Sequence, residues 1–168
     1  MMAMLPTVAR IILCATSIAL LSACSAPGTV AAPRATAAAQ PNYLLVHFTS
    51  ETVDGEQLYF ATSQDGYRWT DLNGSKPVLR STLGDGGVRD PAIVRSPDGD
   101  KFWILATDLR IANGKGWPAA MNRGSTKLVI WESADLVNWS APRLVDVAGA
   151  IPDAGCAWAP EAIYDEAR

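Results

Sequence analysis

Short stretches in which apolar and polar residues alternate, rich in β-branched and aromatic side chains, predict strands at about 43–49, 57–62, 92–95, 101–108, 128–132 and 162–164. Turn residues separate them. In Pro97-Asp98-Gly99-Asp100 the proline presets φ and the glycine accepts a positive φ, which makes a hairpin between two of these strands. No helical period is sustained after residue 41, and residues 110–126, rich in Gly, Asn and Arg around Trp117-Pro118, read as a long loop.

The strand pattern repeats. Leu58-Tyr59-Phe60-Ala61-Thr62 followed by Ser63-Gln64-Asp65-Gly66-Tyr67-Arg68-Trp69 returns at one constant offset as Leu128-Val129-Ile130-Trp131-Glu132 followed by Ser133-Ala134-Asp135-Leu136-Val137-Asn138-Trp139. A second echo, Arg89-Asp90-Pro91-Ala92-Ile93-Val94, reappears at the same offset, give or take one position at the proline, around Ala159-Pro160-Glu161-Ala162-Ile163-Tyr164. Whole strand-and-turn units that recur at one spacing predict an all-β fold of β-propeller type. In the Ser-x-Asp-x-x-x-Trp units the short side chains accept hydrogen bonds from the backbone of the turn, and the tryptophan packs back over the strands.

The ends of the chain read differently. Arg10, the apolar run 11–21 and the small residues Ser22-Ala23 before Cys24 form an export signal too short to span a bilayer, and they resemble a bacterial lipoprotein signal with Cys24 as the acylated residue. The expected divisions are a signal peptide at 1–23, a disordered Ala/Pro-rich tether at 24–42 and the start of a propeller at 43–168. A lipid on Cys24 would anchor the product to a membrane at the cell surface. The alternative is an ordinary signal cleaved near Ala32 or Ala39 and a secreted product. By the repeat spacing the last residues fall in the turn after a first strand, with no return strand like 101–107, so the chain is expected to be an N-terminal fragment or a truncated product.

A net charge of −3 and a pI near 5.1 give no basic surface for nucleic acid. Nothing points to a cofactor or a metal. Cys156 is the single cysteine of the expected folded region, so it has no disulfide partner there and reads as a small packed residue. The six tryptophans and four tyrosines suit sheet packing, and their faces also suit stacking on sugar rings.

Among the carboxylates Asp90 is the first candidate for chemistry. It follows the glycine-rich Gly84-Asp85-Gly86-Gly87, stands where the chain enters the first strand of a unit, and precedes Pro91, which favours an extended backbone. Arg89 beside it offers a positive charge that could keep the carboxylate ionised, although adjacent side chains on a strand point to opposite faces. The other reading is that Asp90 caps the loop through backbone N–H groups. Glu161 holds the related place in the next repeat, as a pocket residue or a loop anchor, and Asp108 closes a strand.

Gly87-Val88-Arg89-Asp90-Pro91-Ala92-Ile93-Val94, then residues 130–140, then Ala157-Trp158-Ala159-Pro160-Glu161, in this order and spacing, resemble the opening half of a glycoside hydrolase family 43 enzyme. The resemblance implies a five-bladed β-propeller with an inverting site at its centre, commonly for α-L-arabinofuranosides or β-xylosides of plant-type polysaccharide. It makes Asp90 the general base that activates water. Related invertase-like propellers carry an Arg-Asp-Pro whose aspartate stabilises the transition state instead. It places Trp158 and Glu161 in the sugar pocket, with Arg89 and Asp108 as further substrate-binding candidates. The family's second aspartate and proton-donating glutamate match no residue here, so the fragment is expected to be inactive alone. The competing readings are a non-catalytic cell-surface propeller that binds glycans or a protein partner, and a truncated product without activity.

Overall fold

The computed structural model describes residues 43–167. The expected signal and tether, with Cys24, lie outside the described residues. Two antiparallel sheets make up the domain. In the first, β1 (Tyr43–His47), β2 (Tyr59–Ser63) and β3 (Thr70–Asp71) are neighbours in chain order, and in the second so are β4 (Val88–Arg95), β5 (Phe102–Asp108), β6 (Lys127–Ser133) and β7 (Arg143–Asp146). The fold is all-β, and a four-stranded antiparallel meander is the unit from which propeller blades are made. The first strands of the two sheets, β1 and β4, lie against each other.

The core sits between the sheets. Val46, Leu58 and Phe60 from the first pack with Val88, Ile104, Ala106, Val129 and Trp131 from the second, most of them with no exposed surface. Full burial of one such aliphatic side chain contributes ~1.5–3 kcal/mol. Central strand β6 is buried at four successive positions, as a strand covered on both faces must be.

Both Ser-x-Asp turns form by the same bonds. Ser63 Oγ accepts from the backbone N–H of Asp65 and Gly66, and Asp65 Oδ1 accepts from those of Tyr67 and Arg68, both at 2.8 Å. Ser133 and Asp135 repeat this with Leu136, Val137 and Asn138.

Several expectations are corrected. β1 ends at His47, and β2 starts two residues later and ends one residue later than the pattern suggests. The short strands β3 and β7 escape the pattern because two to four residues hold too little alternation to register. Residues 162–164 form no strand: no neighbouring strand pairs with them among the described residues, and Ile163 is 90% exposed. Within the expected loop 110–126 lies a helix of six residues, α1 (Trp117–Asn122), started by a proline in its first turn and closed by the Arg123 N–H on the Ala119 carbonyl. So short a helix cannot show a period. Among the described residues no helix is long and apolar enough to cross a membrane.

Candidate active site

The pairing of β4 with β5 is regular from Ala92 to Arg95, slips, and resumes at Arg89 and Val88. The slip falls on Asp90-Pro91. Proline has no N–H to give the ladder, and Asp90 takes a left-handed φ of 46°, so the dipeptide bulges out of the strand. The extended backbone expected at Asp90 is therefore not what forms. The general bias against helical φ before proline is outweighed here by the bulge, and aspartate tolerates left-handed φ better than most residues.

Asp90 is partly buried, and its partner is a side chain rather than the loop backbone. The Thr107 hydroxyl, on the adjacent strand, lies 3.3 Å from Asp90 Oδ2. Thr107 has no exposed surface, and its Oγ1 also accepts the Ala159 N–H at 2.8 Å. Ala159 precedes Pro160 and has φ of 48°. The residues before the two prolines thus share a left-handed φ, which favours Ala159 as the backbone counterpart of Asp90. Glu161 lies two positions beyond, exposed.

Arg89 does not pair with Asp90. Neighbouring strand side chains diverge, and its guanidinium reaches Glu56 at 3.3 Å and Glu51 at 3.5 Å. It lies between two rings, 4.7 Å from the centroid of Phe48 and 4.9 Å from that of Trp117. Trp117 meets Trp158 edge to face, with centroids 6.0 Å apart. Glu56 is wholly buried and is satisfied by the backbone N–H of Ile111 at 2.8 Å and of Ala112 at 2.9 Å as well as by Arg89. A buried charge needs such partners, and here they fasten the loop after β5 to the segment before β2. Arg89 and Trp158 are thus brought into one cluster through Trp117.

Asp108 follows Thr107, and its carboxylate goes to a different set of partners. Its Oδ1 accepts the Asp85 N–H at 2.8 Å, and Asp85 in turn pairs with Lys115. Burial pushes the Asp108 carboxyl up, opposed in part by the Ser125 hydroxyl and the Asp85 N–H. A Cβ on Gly84 would stand 2.0 Å from Asp108 Oδ2, so the glycine is required for this approach. A cavity of about 310 Å³ opens beside these groups, lined also by Arg123, Ser125 and Lys127. These contacts account for Asp108 as the anchor of the glycine-rich loop.

Thr107, Glu56 and Trp117 belong to no motif that marks them in the sequence. Thr107 leaves one trace, a polar residue that closes the otherwise apolar run Phe102-Trp103-Ile104-Leu105-Ala106. Among the described residues no group of three His, Cys, Asp or Glu side chains could hold a metal ion.

Residues 39–168 match the model of a glycoside hydrolase 43-related family, described as "Probable glycosyl hydrolase domain". The chain belongs to this family. An alpha-L-arabinofuranosidase of Bifidobacterium longum subsp. longum is 35% identical over 130 residues, which are 74% of this chain and 12% of that protein. The chain therefore spans only a small part of the relative's length.

Proposed function

We propose that this glycosyl hydrolase domain contributes the water-activating carboxylate of an inverting glycosidase acting on arabinose- or xylose-containing polysaccharide. The observation that carries the reading is Asp90 itself, set on a bulge of a sheet's first strand with Oδ2 held by Thr107. The family membership supports hydrolysis of glycosidic bonds, and the arabinofuranosidase relative supports the pentose substrate. Inversion needs a second carboxyl ~6.5–9.5 Å from the base to protonate the leaving oxygen. The buried carboxylates Glu56 and Asp108 already serve backbone N–H donors. Residues 1–168 by themselves are proposed to be inactive, because none of them matches the family's proton-donating glutamate. Trp158, Arg89 and Glu161 are proposed to shape the sugar pocket. Cys24 is proposed to carry a lipid that holds the domain at the cell surface.

The test is hydrolysis of aryl α-L-arabinofuranosides and β-xylosides by the natural polypeptide, with everything its reading frame encodes. Asp90→Asn should lower kcat by about 10²–10⁴-fold and leave the melting transition in place, because the amide keeps the shape but cannot take a proton. Added azide should restore turnover if Asp90 is the base, and should not if it stabilises the transition state. Near-normal turnover of Asp90→Asn would remove it from the chemistry. Absence of turnover in the unaltered protein would leave glycan binding as the better reading. Fatty-acid label on the natural chain and none on Cys24→Ala is the expected sign of the anchor.

A further inference from the structure

We infer that Thr107 is a positioning residue which makes the orientation of the Asp90 carboxylate depend on the seating of segment 157–160. The inference rests on the catalytic reading of Asp90 for its significance, and on hydrogen-bond direction for its geometry. A threonine hydroxyl has one proton to give. An N–H can only donate, so the Ala159 N–H at 2.8 Å must take a lone pair of Thr107 Oγ1. The hydroxyl proton is then free to be aimed at the other neighbour, Asp90 Oδ2 at 3.3 Å, an acceptor when ionised.

The direction of donation is therefore fixed, from Ala159 N–H to Thr107 O–H to Asp90 carboxylate. Each donor polarises the next. Because Thr107 has no exposed surface, water does not replace either partner. The bond at Oδ2 sets how the carboxylate is turned, and both oxygens keep lone pairs with which to receive a proton from water. The separation of 3.3 Å is long for an O–H···O bond, and hydrogen bonds of catalytic groups commonly tighten once substrate is bound.

The left-handed residue before each proline makes the connection possible. At Asp90 it swings the carboxylate out of the ladder, and at Ala159 it presents the N–H to the neighbouring strand. Segment 157–160 is held independently by the Ala157 N–H on the Ser125 carbonyl at 2.9 Å. A movement of that segment would withdraw the Ala159 N–H, release the hydroxyl rotor, and free the Asp90 carboxylate to turn. Equivalent positions of two sequence repeats thus meet at a single buried hydroxyl.

The test follows the Ala159 amide by ¹⁵N NMR in the full chain, without need of turnover. Asp90→Asn should shift the Ala159 N–H resonance although the two residues are not bonded to each other. Thr107→Val should abolish that response and speed exchange of the Ala159 amide by about tenfold or more, while Thr107→Ser retains both properties. An Ala159 resonance indifferent to Asp90→Asn overturns the inference, and so does exchange in Thr107→Val within twofold of the natural chain. Asp90→Asn leaves Thr107 in place and so tests the relay even if Thr107→Val does not fold. The azide and turnover results above judge the catalytic reading separately.

Discussion

The turns at Ser63 to Trp69 and at Ser133 to Trp139 use one set of hydrogen bonds, yet their tryptophans meet different fates. Trp139 is half-buried and stands edge to face with Phe60 of the other sheet, centroids 5.8 Å apart, its Nε1 donating to the Leu136 carbonyl. Trp69 is 40% exposed. The turns also differ at the residue with left-handed φ, which is Gly66 in the first and Leu136 in the second. Local bonding alone is thus enough to reproduce the loop, whereas the tryptophan acquires its packing only from a neighbouring sheet. The repeat records a backbone, and the burial of its side chains is set by what lies alongside.

The largest expected effect comes from removing that neighbour contact. Trp139→Ala should cost about 3 kcal/mol, and Trp69→Ala about 1 kcal/mol or less, because a large-to-small change costs in proportion to the packing it deletes. Urea unfolding of the two variants measures the difference. Equal losses would mean that the tryptophan serves its own turn and not the junction of sheets.

A smaller effect is expected from exchanging the left-handed residues. A Cβ on Gly66 would come no closer than 4.0 Å to Tyr43, so Gly66→Leu meets backbone strain without a steric clash and should cost about 1–2 kcal/mol. Leu136→Gly relieves that strain but surrenders a half-buried side chain and gains chain entropy in the unfolded state. The two tendencies offset, and the melting temperature should move little. A large stabilisation would show that the leucine contributes no packing.

The smallest effect is electrostatic. In the second turn the Asn138 backbone and side chain, with the Val137 N–H, hold the Asp135 carboxyl down to about 2. In the first, the N–H groups of Arg68 and Tyr67 lower Asp65. A carboxyl lowered in the folded state contributes stability above its unfolded value, lost as pH falls through the folded one. The window for Asp135 therefore runs from about 4 down to about 2. Carbonyl NMR titration should place its midpoint near 2, and Asn138→Ala should raise it towards the ordinary range. An unmoved midpoint would assign the shift to the backbone alone.

Local physics was legible in the chain: the two Ser-x-Asp turns, the Pro97 to Asp100 hairpin, most strands and the all-β class follow from side-chain period and turn chemistry over short stretches. The family, too, was legible, because its motifs are short and ordered. What required the tertiary structure was every relation between segments distant in sequence. The bulge overrode the local bias before Pro91, and Arg89 found Glu56 rather than its neighbour Asp90. Among the described residues no strand pairs with 162–164, and a strand exists only by pairing. The contact of Asp90 with Ala159 through Thr107 could not be read from spacing, since a hydroxyl's direction is decided by the two groups that surround it. Sequence alone determined what each segment prefers, and packing decided which preferences prevailed, because burial makes an unmet hydrogen bond cost more than a local propensity can return.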